Sequence, residues 1–371
     1  MGEKHEGEEK EGEHGIDMRA ASSSAAMELD DDAHEGGDKK TMGVGMFQSE
    51  SEADGPPRHG QRRTTAKFKI VRVFSGLVAG AIGAFVTFSG GTVFGVFICT
   101  LAAQFTREFS KLVSTQGALL RPNGGITPVP KPVTNLMPVL SVAMVLGEWL
   151  GWATVDCSFV MCSVIVLVTL VVQNETPAVF EHAAFSIFGI FYCGLLPAFW
   201  LKLRSIAALA PPSWLTRAWP ASFGGDAHIT VGLVATVSTA FCIVAADVGA
   251  YYGGKNMGQT PLTPVSPKKT VEGAVSGLVA SMAMACGLKS MLCWPQLNAF
   301  YCMLAATLFF GTSIVGDLVE SIMKRGAGVK DTGDIIPGHG GLLDRFDSWI
   351  LTGPASYFIS TVMLPAFAGS P

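Results

Sequence analysis

From residue 71 onward, apolar residues gather into nine runs near 71–88, 90–106, 135–155, 157–173, 180–200, 229–253, 272–291, 298–319 and 348–367. A helix that crosses a bilayer needs about 20 mainly apolar residues, and these runs meet or approach that length. So little chain separates the first run from the second, and the third from the fourth, that each pair reads as a tight helical hairpin or one broken element. The expected fold is all-α, a polytopic membrane-embedded helical bundle of about nine transmembrane helices.

Residues 1–66 have a different pattern. They are rich in Glu, Gly, Ser and Asp, nearly lack aromatics, and show neither a helical nor a strand period. Such a segment cannot offset the entropy of ordering, so it reads as a disordered acidic tail. No apolar stretch of signal-peptide length precedes Lys67, and the acidity is unlike a transit peptide, so targeting is not legible there.

Composition agrees with the apolar pattern. With 49% hydrophobic and 15% charged residues, the 371-residue chain carries more apolar surface than one soluble core hides. The tail holds 16 of the 30 acidic and 8 of the 26 basic residues, so the rest of the chain is net positive. All eight cysteines (Cys99, Cys157, Cys162, Cys193, Cys242, Cys286, Cys293, Cys302) lie in or beside apolar runs without metal-ligand spacing, and each reads as a small buried hydrophobe.

With the N-terminus on the cytoplasmic-type side, the inner connections receive 17 Lys and Arg residues from Arg58 to Arg345. The outer ones receive 4, namely Lys202, Arg204, Arg217 and Lys289. That asymmetry supports the orientation and puts the most polar connections on one face.

An ionisable group near the centre of a spanning helix costs at least about 2.5 kcal/mol, so each is a functional suspect. Asp247, Asp317 and Glu320 lie in or beside the sixth and eighth runs, and Asp344 stands just before the ninth. In the inferred topology the three aspartates meet at the inner ends of their helices. Around them fall Lys255, Lys268, Lys269, Lys324, Arg325, Lys330 and Arg345, in glycine-rich loops. Such a set suits Mg²⁺ with a polyphosphate, and it equally suits ion pairing between loops.

The longer string separates these readings. Ser321 to Asp347 reads SIMKRGAGVKDTGDIIPGHGGLLDRFD, and Asp247 to Gly273 reads DVGAYYGGKNMGQTPLTPVSPKKTVEG. The first resembles the signature of the phosphatidate cytidylyltransferases, the CDP-diacylglycerol synthases, at Ser321, Lys324, Arg325, Lys330, Asp331, Pro337, His339, Gly340, Gly341, Asp344, Arg345 and Asp347. The second resembles that family's other polar region in its SPKKT and EG elements. The likeness covers about residues 240–350, and the form SIMKRGAGVKD is closer to the bacterial and plastid branch than to that of the endoplasmic reticulum. Gln259 stands where relatives often carry a basic residue, and Val271 where many carry Trp.

The resemblance implies a membrane-embedded catalytic domain over 67–371 that joins CTP and phosphatidate to give CDP-diacylglycerol and pyrophosphate. It implies Mg²⁺ held by Asp317 and Asp344, with a monovalent cation such as K⁺ as a candidate companion. Lys324, Arg325, Lys330, Asp331, His339 and Arg345 are the other candidate catalytic residues. Asp247, Ser266, Lys268, Lys269, Thr270, Glu272, Gly340, Gly341 and Asp347 are candidates for substrate binding. His339 either fixes its loop, touches a phosphate or transfers a proton. Glu272 and Glu320 serve near the metal or at a helix end, whereas Glu148, Glu181 and His182 read as packing or interfacial groups.

The expected partners are the two substrates and the bilayer, with no nucleic acid, and a homodimer is compatible with the family. A plastid membrane is the favoured location, with the site on the cytoplasmic or stromal-type face. Two rival functions remain: a CTP-dependent polyprenol or phytol kinase, which lacks the full signature string, and an ion-coupled transporter, which should show internal repeats.

Overall fold

The computed structural model describes residues 78, 80–115, 128–173, 178–208, 229–264, 266–292, 298–333, 335 and 340–363. All belong to one compact unit, Arg58–Pro371. The acidic tail, residues 71–77 of the first run, Cys293 and His339 lie outside the described residues.

Each of the nine apolar runs contains helix. A helical stretch at 80–88 ends at Ser89 and Gly90, and α1 (Gly91–Thr115) follows at once. Next come α2 (Lys131–Leu150) and α3 (Val155–Gln173). The fifth run is α4 (Val179–Ile190), a π turn (Phe191–Leu195) and α5 (Leu196–Arg204) in one continuous helix. The signature half consists of α6 (Val231–Met257), α7 (Val271–Met291), α8 (Ala299–Gly326) and α9 (Leu343–Phe358), the last continued by a π turn at Ile359–Met363.

Six helices among the described residues are long and apolar enough to cross a membrane: α2, α3, Val179–Arg204, α6, α7 and α8. The chain is therefore a multi-pass helical membrane protein. Helix α1 runs on to Thr115, beyond the expected end of its apolar run, and carries Arg107, Glu108 and Lys111 in that extension. Between α6 and α7 the all-α expectation gives way locally: Pro261–Thr263 (β1) and Ser266–Thr270 (β2) pair as an antiparallel hairpin.

Helix starts follow local chemistry. Thr230, Thr270 and Asn298 accept the N–H groups of Leu233, Gly273 and Phe300 at the beginnings of α6, α7 and α8. Left-handed Gly151 closes α2, and Glu148 Oε2 accepts the Val155 N–H at 2.8 Å where α3 begins, a structural duty that fits its packing role.

The main apolar core runs through α1 to α5 and reaches α6 at Ile243 and α9 at Leu343 and Ile350. The span Val179–Arg204 is its centre, with 67% of its apolar window buried, against 17% for α7. Polar pairs join helices across the bundle: Thr106 to Ser141, Trp200 Nε1 to the Trp349 carbonyl, and Thr239 to Ser356. One expectation for the cysteines fails. Cys157, near the start of α3, is exposed, because the lipid-facing helix presents that side outward; Cys162, Cys193, Cys242 and Cys302 are buried, and Cys99 and Cys286 partly so.

Candidate active site

Ion pairs draw the ends of both polar stretches onto α8. Lys269, at the end of β2, pairs with Asp317 on α8, whose other carboxylate oxygen accepts the Ser348 hydroxyl at 2.7 Å. Lys324, two turns further along α8, bridges Glu320 at 2.6 Å and Asp344 at 2.8 Å. Asp247 on α6 stands within electrostatic reach of Asp317 and Lys269. Asp347 lies within reach of Asp317 and Glu320.

Exposure gives this cluster a direction. The Lys269 and Asp317 side chains are 31% and 23% exposed, whereas Glu320 and Asp344 are 1% and 4% exposed. The first pair forms an open end; the second forms a closed end inside the bundle.

Asp344 organises the loop before α9. Its Oδ2 accepts the Thr332 N–H at 2.8 Å, the Thr332 hydroxyl at 3.0 Å and the Gly341 N–H at 2.8 Å. Burial opposes ionisation, but hydrogen bonds from Glu320, Lys324 and those N–H groups overcome it and hold the Asp344 carboxyl well below its usual range. At Asp347 the balance reverses. Withdrawal from water, with Asp317 and Glu320 next, pushes that carboxyl up.

The glycines of this loop have geometric reasons. Gly340 takes a φ of 81°, open to glycine at little cost. A Cβ at Gly341 would collide with Thr332 Oγ1 and Glu108 Oε2.

Glu108, on α1, is a residue that sequence reasoning missed. It is fully buried and caps α9: Oε1 accepts the Leu342 N–H at 2.9 Å, and Oε2 accepts the Leu343 N–H at 2.8 Å and the Thr332 hydroxyl at 3.2 Å. A carboxylate at a helix start satisfies orphan N–H groups and complements the helix dipole. The available signal was its register, one turn from Phe105 and Leu112 on the buried stripe of α1.

Other expected residues surround the cluster or stay apart from it. Lys268, Arg325 and Lys330 are exposed and make no ion pair with a described residue; Asp331 and Arg345 are exposed too. Ser266 is half-buried in β2, and Thr270 caps α7. Glu272 accepts the N–H groups of Gln259 and Thr260, so it braces the hairpin.

The donor set fits a hard divalent cation. Among the described residues no group of three His, Cys, Asp or Glu side chains is arranged to hold a metal. Mg²⁺, however, commonly takes only one or two carboxylates and fills its remaining positions with water and phosphate oxygens. Asp317 and Asp344 supply two such carboxylates, each beside a lysine.

Known proteins resemble this chain over most of its length. A model of the cytidylyltransferase family matches residues 70–363. Phosphatidate cytidylyltransferase 4, chloroplastic, of Arabidopsis thaliana is 42% identical over 293 residues, covering 78% of this chain and 73% of the relative. Phosphatidate cytidylyltransferase 5, chloroplastic, of the same plant is 37% identical over 92% of this chain and 83% of its own length. The phosphatidate cytidylyltransferase of Synechocystis sp. is 33% identical over 79% of this chain and 97% of its own length.

Proposed function

The chain belongs to the cytidylyltransferase family, and from that premise we propose that it transfers the cytidylyl group of CTP to phosphatidate, giving CDP-diacylglycerol and pyrophosphate. The observation that carries this reading is the Lys269 to Asp317 pair, which brings the 247–273 polar stretch onto α8, the helix that leads into the signature string.

A phosphate oxygen of phosphatidate attacks the α-phosphorus of CTP. A new P–O bond forms, the bond from the α-phosphorus to the bridging oxygen breaks, and pyrophosphate departs with that electron pair. A phosphomonoester with a second pKa of about 6 is mostly dianionic at neutral pH, so no general base is required. Lys269 and Lys324 offset charge on the phosphates, and exposed Lys268, Arg325 and Lys330 draw the nucleotide from water. Asp344, fixed by Thr332 and Gly341, and Asp317, fixed by Ser348, would hold Mg²⁺. That ion would supply charge neutralisation on phosphate oxygens. His339 belongs to the same loop sequence as Gly340 and serves phosphate contact or loop order.

In this reading all nine runs cross or enter the bilayer, and the cluster faces the compartment of the acidic tail, stromal-type in a plastid membrane. The lipid keeps its acyl chains in the bilayer while its headgroup enters between helices. Membranes containing the full chain, given phosphatidate and CTP labelled at the α-phosphate, should yield labelled lipid. Label entering lipid only from the γ-phosphate would identify a kinase, and label from neither position would sink the transferase reading.

A further inference from the structure

Among the described residues, the Tyr192 hydroxyl and Glu320 Oε1 are buried and lack a hydrogen-bond partner. Both residues are 1% exposed. A buried hydroxyl without a partner destabilises a protein, so such a group is retained where something else meets it.

Tyr192 lies in the π turn Phe191–Leu195, inside the most buried of the six candidate spans. Turns of this kind occur often at functional sites because they redirect side chains within a continuous helix. The Tyr192 ring stacks on Phe188 at 5.6 Å with an interplanar angle of 13°, so packing rather than hydrogen bonding sets its direction. Asp347, Glu320 and Asp317 all lie within electrostatic reach of its hydroxyl.

We propose that Tyr192 is a substrate-contacting residue whose hydroxyl donates a hydrogen bond to the phosphomonoester headgroup of phosphatidate. The proposal rests on the transferase reading above and adds a specificity-determining group to it. The side of approach identifies the ligand. Tyr192 belongs to the apolar core, with Asp347, Glu320 and Asp317 within electrostatic reach, whereas Lys268, Arg325 and Lys330 stand exposed on or beside the loops. A nucleotide arrives from water and meets the cations first. A headgroup whose acyl chains stay in the bilayer can enter beside the spanning helices. A phenol also suits this place chemically, because it gives a dianion a donor without burying another charge.

The test is Tyr192→Phe in the full-length protein, purified in detergent with dioleoyl phosphatidate and CTP. The expected result is a fall in kcat/KM for phosphatidate of about tenfold to a hundredfold, with KM for CTP within twofold of wild type. Without substrate the variant should melt at the wild-type temperature or above it, since the lost hydroxyl has no partner among the described residues. The rise in melting temperature that phosphatidate gives the wild type should shrink in the variant. Unchanged kcat/KM for phosphatidate, an equal loss toward both substrates, or a less stable substrate-free variant would each overturn the proposal. Failure of the wild type to label lipid would defeat the transferase reading instead, and the phosphatidate-dependent melting shift, measured without CTP, would still judge Tyr192.

Discussion

The two halves of the bundle are built on different terms. Helices α1 to α5 share one apolar core, and the span through α4 and α5 has 67% of its window buried. Helices α6, α7 and α8 keep 44%, 17% and 28% buried and carry most of the charged cluster between them. The first half thus resembles a scaffold, and the second a site held at its edge. Glu108 breaks that division, because a scaffold carboxylate fixes the start of α9, where Asp344 sits. Catalytic placement therefore depends on both halves.

The sharpest way to test the division is to disable the signature half alone. Asp317→Asn or Asp344→Asn should lower turnover by about a thousandfold or more while the protein still accumulates in the membrane, because each removes a proposed metal ligand. Labelled-CTP transfer and membrane immunoblots check this, and wild-type activity at ordinary Mg²⁺ in both variants would remove them from the metal site.

The next change crosses from the scaffold. Glu108→Ala leaves the Leu342 and Leu343 N–H groups without their acceptor and should cost about 3 kcal/mol, seen as a lower melting temperature in detergent, together with reduced kcat. If stability falls and kcat per folded molecule does not, the capping bond is structural only. A smaller effect is expected for Thr239→Val, which strips the 2.7 Å partner from Ser356 far from the ion pairs. It should cost about 1 kcal/mol with kcat unchanged. Deletion of residues 1–60 should have the least effect, leaving purified activity within about twofold of the full chain, since no proposed site residue lies there; a folded but inactive truncation would contradict that.

Much of this architecture was legible because bilayer solvation writes it in long apolar runs, and every run holds a helix. Helix direction led to an expected meeting of Asp247, Asp317 and Asp344 with cations around them; Asp247 does lie within reach of Asp317 and Lys269, and Asp344 pairs with Lys324. The hairpin that carries Lys269 was not legible, since strands of 3 and 5 residues leave little periodic trace. Glu108 was hidden by its neighbours: beside Arg107 and Lys111 it reads as one more interfacial charge, and its partners stand 234 and 235 residues away. Tyr192 was hidden for the opposite reason, as an aromatic in an apolar run.

The distance between Glu108 and its partners also sets a clock on biogenesis. Translation at about 5–20 residues per second takes roughly 12–47 s to cover the 234 residues from Glu108 to Leu342. For most of that interval Glu108 has only neighbouring Gln104 among its described donors, since Thr332 is made shortly before Leu342. Glu108 therefore acquires its helix-capping donors only once the start of α9 has been made.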